Sequence, residues 1–178
     1  MSVTSFSRHS VWGLPLALSC LATGSHAGTL SLQVDIPQQS VAEYHKPYVA
    51  GWIEDGKGAA TRNVFVWYDV KKRDNAGQKW LSDLRTWWRK SGRDLASTDG
   101  FSSATRAPGR QTLTLDTTST ASLKALPAGN YVFVVEAARE NGGHDLVKMP
   151  FNWNPAKAAT GAAKGAGELG DVRLNYKP

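Results

Sequence analysis

Cysteine is almost absent from this 178-residue chain, and Cys20 is the only one. An internal disulfide is thereby excluded, and so is a metal site built from several thiolates. Histidine is also scarce. None of the four (His9, His26, His45, His144) stands at the HxH or HxxxH spacing that presents two imidazoles to one metal ion. No apolar stretch reaches the roughly 18 residues of a membrane-spanning helix. No Gly-x-Ser-x-Gly elbow occurs, nor a Ser, His, Asp order of a nucleophilic hydrolase, so hydrolytic chemistry has no supporting constellation. Internal repeats and a second domain boundary are missing as well.

The N-terminus reads as an export signal. Arg8 and His9 form a short basic region, and Val11 to Ala22 is an apolar run interrupted by Pro15. Ser25-His26-Ala27 follows the small-x-small cleavage rule, so residues 1–27 are expected to be removed and residues 28–178 to form the exported protein. Ala17-Leu18-Ser19-Cys20 is an imperfect lipoprotein site, with Ala17 where Leu is usual, so lipidation at Cys20 is the lesser expectation. Roughly 150 remaining residues suit one domain. This places the protein in the periplasm.

The formal charge of +6 is moderate, and basic residues are interspersed with acidic ones except at Lys71-Lys72-Arg73 and from Arg85 to Arg93. Such a patch attracts phosphate, an anionic lipid surface or an acidic partner. Nucleic acid is not an expected partner of an exported chain.

Alternation with period two marks most of the chain after residue 28. Leu30, Leu32, Val34 and Ile36 share one face of a strand over 29–36, which Pro37 ends. A strand over 48–54, the turn Asp55-Gly56-Lys57-Gly58 and a strand over 62–70 make a hairpin. Further strands are expected over 110–116, 131–137, 146–153 and 168–176. Ala156 to Gly167, rich in Ala, Gly and Lys, reads as a mobile loop. The period changes once: Trp80, Leu81, Leu84, Trp87 and Trp88 recur at helical steps, so 79–90 is an amphipathic helix stopped by Ser91-Gly92. Seven or eight short strands, tight turns and no βαβ alternation predict an all-β, antiparallel, immunoglobulin-like β-sandwich with one short helix inserted. The helix's tryptophans plug one face or end of the sheet. One of Trp87 and Trp88 can also shield a ring-shaped ligand held by the next loop.

That loop, Asp99-Gly100-Phe101-Ser102-Ser103-Ala104-Thr105-Arg106-Ala107-Pro108-Gly109, is polar and rich in small residues. It resembles the acceptor motif of proteins that carry FMN covalently, Asp-Gly-x-Ser/Thr-Gly-Ala-Thr. Asp99, Gly100, Ser102, Ala104 and Thr105 match, and Ser103 departs from the usual Gly. Asp55 to Thr61 resembles the motif more weakly, and hairpin chemistry accounts for every residue there.

Four blocks resemble the bacterial periplasmic family called domain of unknown function 2271. They are Tyr44 to Asp55, Leu84 to Arg89, Asp99 to Gly109, and Pro127 to Tyr131 with Glu136 to Gly143, in the family's order. The resemblance implies an exported protein linked to flavin transferases and membrane redox systems. It implies FMN joined through Thr105, with a flavin transferase as partner and a membrane redox protein as a further candidate. Asp99, Ser102 and Ala104 would shape the loop, with Asp99 accepting a backbone hydrogen bond two residues on. Arg106 would pair with the phosphodiester, and Trp87 or Trp88 would flank the ring. The chain would be the transferase's substrate and a redox carrier rather than a stand-alone enzyme. The rival expectation is a binding or accessory module with no flavin. His45 and His144 have carboxylates near in sequence, and Glu136, Arg139 and Glu140 cluster at a strand end as structural ion pairs.

Overall fold

The computed structural model describes Met1 and residues 27–178 other than Ala125, and of Thr61 the backbone only. The expected export signal, with Cys20, lies outside the described residues.

Nine strands occur among the described residues: β1 (Thr29–Ile36), β2 (Tyr48–Glu54), β3 (Ala60–Tyr68), β4 (Ser102–Ala104), β5 (Gly109–Asp116), β6 (Gly129–Ala138), β7 (His144–Trp153), β8 (Ala159–Lys164) and β9 (Asp171–Lys177). They form a four-stranded sheet, β5-β1-β9-β8, and a five-stranded sheet, β4-β3-β2-β6-β7. Every described pairing is antiparallel except β3 with β4. The antiparallel sandwich read from the alternation is what the chain forms.

Two corrections concern weak signals. Ala159 to Lys164 is a strand and not a mobile loop, held to β9 from Ala159↔Tyr176 to Lys164↔Asp171. Its inward residues are Ala159, Gly161 and Ala163, too small to raise a hydropathy alternation, although Gly161 lies against Met149. The continuous helix over 79–90 is also not formed. An irregular 3-10 segment runs through Arg73–Asp83, and a separate six-residue helix, α1, spans Arg85–Lys90. Within the former, Asp74 and Asn75 adopt left-handed backbone at φ 53° and 54°.

The core has two layers. Between the sheets, Leu30, Leu32, Val34 and Ile36 of β1 meet Val49 and Ile53 of β2, Phe133 and Val135 of β6, and Leu174 and Tyr176 of β9. The second layer lies on the outer face of the five-stranded sheet, where Leu81, Leu84 and Trp87 cover Ala50, Trp52, Val66, Tyr68 and Val134. This is why β2 is buried on both faces. A register shift between Gly51 and Trp52 opposes two residues of β3 to one of β2, and both Val64 and Phe65 turn into the inter-sheet core.

Gly51 is fixed by packing rather than by its backbone. A Cβ there would lie 2.1 Å from a ring carbon of Phe65. In the centre of a sheet neither strand can withdraw, so Gly51→Ala is expected to cost about 1–3 kcal/mol or more through overpacking. Urea unfolding measures it, and an unchanged midpoint would contradict this account of the bulge.

Three aspartates staple the loops to the sheets. Asp35 forms a two-pronged pair with Arg110 across β1 and β5 at 2.8 and 3.0 Å, and this hydrogen bond holds its carboxyl below the ordinary value. Asp116 caps the next turn through Thr118 Oγ1 and the amides of Thr118 and Ser119, which bring it to about 2. Burial acts to raise Asp145, but the amides of Gly167, Ala166, Leu169 and Leu146 outweigh it and hold the group low. Each folded value lies below the unfolded one of about 3.9, so this stabilisation is complete above that pH. It is lost as pH falls through the folded values. A melting temperature that is flat from pH 5 to 6 and drops between pH 4 and 2 is expected, and Asp145→Asn is expected to flatten the drop.

Candidate functional site

Thr105 is positioned by an edge that the sequence does not announce. Ser102, Ser103 and Ala104 pair in parallel with Val66, Trp67 and Tyr68. The amide of Val66 donates to Phe101 O at 2.9 Å, and that of Thr105 donates to Tyr68 O at 3.1 Å. The proposed acceptor segment is therefore a short strand with its final Thr tethered by its own amide. Its hydroxyl has no hydrogen-bond partner among the described residues, and the residue is half-buried.

Thr105 lines a cleft of about 340 Å³ with Tyr44, Lys46, Tyr48, Lys72 and Trp80. That volume falls at the lower end of the roughly 300–1,000 Å³ of small-molecule sites. Burial pushes the Tyr44 and Tyr48 phenols above their ordinary value, so both are neutral donors at pH 7. Tyr48 uses its hydroxyl on Gly77 O at 3.1 Å. The Tyr44 hydroxyl is buried and unpartnered. Lys46 and Lys72 supply positive charge beside the carboxylates of Asp69, Asp83 and Glu140, and Trp80, 41% exposed, supplies a large aromatic face. His45 stands between Glu43 at 3.3 Å and Glu140 at 3.7 Å.

The other expected residues are dispersed around this cleft. Asp99 is at the exposed tip of a turn, where Gly100 takes φ +85°. The backbone bond expected from its carboxylate is not formed; the Asp99 amide donates to Ser97 Oγ at 3.0 Å instead. Ser102 and Ala104 carry the edge pairing. Arg106 turns to the other side of the sheet. Its guanidinium carbon lies 5.4 Å from the ring centre of Trp67, an inter-sheet core residue, and it donates to Ser103 Oγ at 3.5 Å. The cations that share the cleft with Thr105 are thus Lys46 and Lys72. Trp87 is fully buried and donates its indole N–H to Asn63 Oδ1 at 2.8 Å, so it is a core residue without a free face for a ligand. Trp88 lines a separate hollow with Arg85, Arg89 and His144. The indole that lines the cleft with Thr105 is that of Trp80. Thr61, of the weaker motif, lies near the start of β3, just after the Asp55 to Gly58 turn.

Two buried glutamates anchor the cover over this part of the sheet. Glu136 projects from β6 into the amides of Thr86 and Trp87 at 2.8 and 2.7 Å, and His144 Nε2 reaches it at 2.5 Å. Glu54, from β2, takes the Trp52 indole N–H at 3.0 Å and the Lys90 ammonium at 2.6 Å. One carboxylate holds the first turn of α1 and the other its last residue. A third, Glu168, forms a buried two-pronged pair with Arg139. Glu136, Arg139 and Glu140 do form pairs, but with partners outside their own cluster: His144, Glu168 and His45. Glu54 was missed, although a charge facing the same way as Trp52 on an otherwise apolar strand was a readable signal.

A larger hollow of about 750 Å³ lies on the outer face of the four-stranded sheet, over Ser31, Gln33, Thr160, Asn175 and Lys177. It is an open sheet surface whose charged lining residues are Arg173 and Lys177, and it holds none of the expected residues. Among the described residues no cluster of three or more His, Cys, Asp or Glu is arranged for a metal ion.

The fold and cleft define the class: an antiparallel β-sandwich whose outer sheet face is roofed by a tryptophan-bearing helical insertion, with a free Thr hydroxyl at the roof's edge. The family of predicted periplasmic proteins DUF2271 matches residues 29–171, and the chain belongs to it. No curated protein and no solved structure matches the chain. The four blocks converge in three dimensions. The first (Tyr44, Lys46, Tyr48), third (Thr105) and fourth (Glu140) line the one cleft, and the second, α1, sits on Glu136 of the fourth. Among the described residues no helix is long and apolar enough to cross a membrane.

Proposed function

We propose that the protein is an exported carrier of covalently bound FMN, attached through Thr105 by a flavin transferase, and that it acts in electron transfer. The carrying observation is a half-buried Thr whose hydroxyl has no partner among the described residues, lining a cleft that contains two lysines and an exposed indole.

The two lysines and the aromatic rings suit the group, while the carboxylates of Asp69, Asp83 and Glu140 line the same cleft. Lys46 and Lys72 suit its phosphate, and Trp80 with Tyr44 and Tyr48 suits its ring. In the attachment step Thr105 Oγ1 bonds to the FMN-side phosphorus of FAD. The bond from that phosphorus to the bridging oxygen breaks, AMP leaves with that oxygen, and the hydroxyl proton passes to a base of the transferase. The transferase, with Mg²⁺ on the pyrophosphate, supplies the catalysis, since an unassisted Thr hydroxyl is a poor nucleophile. When bound, the flavin supplies one- or two-electron transfer. The chain's own contribution is to tether it against loss, neutralise its phosphate and cover one side of its ring. Removal of residues 1–27 on export belongs to the same proposal.

The test is an intact mass of the protein co-expressed with an active periplasmic flavin transferase, followed by peptide mapping. A gain of one FMN less one water on the peptide containing Thr105 is expected. An unmodified mass, with a control substrate flavinylated in the same cells, overturns the proposal in favour of a flavin-free binding module.

A further inference from the structure

The helical insertion carries a second feature that attachment of a cofactor does not require. Between Lys71 and Asp94 there are eight Lys and Arg (Lys71, Lys72, Arg73, Lys79, Arg85, Arg89, Lys90, Arg93) against three Asp (Asp74, Asp83, Asp94). This short segment holds most of the chain's formal charge of +6. Lys90 is taken up by Glu54 and Arg93 lies 3.5 Å from Asp94. Among the described residues the other six form no ion pair.

The same segment is apolar in places where it meets water. Val70 is 38% and Trp80 41% exposed, and the only other large hydrophobic exposed between residues 27 and 178, among those described, is Val41. Leu81, Leu84 and Trp87 are committed to the sheet beneath, Trp88 packs partly against them and Lys90 turns to Glu54, while Lys71, Lys72, Arg73, Lys79, Arg85 and Arg89 are exposed. Trp88 is half-buried between Arg85 and Arg89, and the hollows around Trp80 and Trp88 adjoin at Asp83 and Ser82.

Unpaired cations interleaved with an exposed Trp and Val fit a membrane–water interface. Lys and Arg meet anionic headgroups there, and an indole sits at headgroup level. An acidic protein surface would complement the charge but leaves Trp80 and Val70 without a matching apolar partner. We propose that the outward face of residues 70–93 docks on an anionic lipid surface, so that the protein works while bound peripherally to the membrane. This does not depend on the flavin: it holds for the unmodified protein, and of the residues it uses only Lys72 and Trp80 also line the cleft assigned to the cofactor.

The experiment is co-sedimentation of the purified, unflavinylated protein with phosphatidylglycerol/phosphatidylcholine vesicles and with phosphatidylcholine vesicles alone. All arms share one N-terminus, so any contribution of residues 1–27 cancels. Binding only to the anionic vesicles, weakened by salt, is expected. R85E/R89E is expected to weaken the partition coefficient by roughly thirtyfold or more, since each cation near such a surface counts about fivefold. W80A is expected to weaken it at constant charge. The control K164E/K177E changes net charge equally on the opposite sheet and is expected to bind nearly as the parent does; matched thermal melts verify folding. Equal loss in the control, or no preference for anionic vesicles, overturns the proposal. Binding to poly-glutamate without binding to vesicles overturns it in favour of an acidic protein partner.

Discussion

Thr105→Ala protein is expected to emerge colourless from cells in which the parent is flavinylated, with its mass unchanged by the transferase. The effect is all-or-none because the proposed bond has a single oxygen to use. Two comparisons give the result its meaning. Thr105→Ser keeps a hydroxyl at the same tethered position and is expected to restore the modification. Thr61→Ala, in the weaker motif, is expected to leave it intact. Thr105 Oγ1 has no partner among the described residues, so its removal is expected to change stability by no more than about 0.5 kcal/mol. Lost colour in a normally folded protein then reports lost chemistry. If Thr105→Ala remained yellow, the acceptor would lie elsewhere and the cleft would lose its assigned role.

The largest expected loss of stability is at Glu136. Its carboxylate is wholly buried and receives the Thr86 and Trp87 amides and the His144 ring. Glu136→Ala removes all three contacts at once and leaves two helix amides without a partner. Each buried donor left without an acceptor costs about 1–3 kcal/mol. For a domain of this size the two amides together lower the melting temperature by about 10 °C. The nearly isosteric Glu136→Gln retains volume and one acceptor and is expected to lose less. His144→Ala, on a half-exposed partner, is expected to cost about 1 kcal/mol. Because α1 covers Trp52 and Val134, the Ala variant is also expected to increase hydrogen exchange across residues 73–95 before the sandwich itself opens. Uniform exchange loss would contradict a separately anchored insertion.

Much of the sandwich was legible because its signal is local. β1 matches the alternation to the residue, since large aliphatic side chains with one buried face repeat every second position, and β2 has the expected bounds although it is buried on both faces. β8 was not legible, because Ala, Gly and Ala fill its inward positions and it is recognisable only by the partner it pairs with. β4 is three residues long, and a parallel edge of that length has no composition of its own. The helix was readable as a hydrophobic stripe but not as two pieces. The break at Leu84 is set by where Glu136 holds the first turn of α1, a contact 50 residues away in sequence.

The site divides in the same way. Thr105 and its small neighbours stood out by residue type, and the basic runs by their order. That Lys46, Lys72 and Trp80 share one cleft with Thr105 is decided by tertiary structure alone. The segments around 44–48, 69–83 and 105 come together only because β2 and β3 lie side by side, β4 adds at their edge, and the insertion folds back over their outer face. Likewise Trp87 and Trp88 are equivalent in sequence, yet one is sealed against Asn63 and the other faces Arg85 and Arg89. Sequence by itself determined which faces are apolar, where turns fall and where charge is concentrated, because these depend on side-chain chemistry and short-range periodicity. Tertiary structure decided which of those pieces meet, because long-range pairing and the burial of Glu54 and Glu136 are satisfied only when the whole layer is assembled.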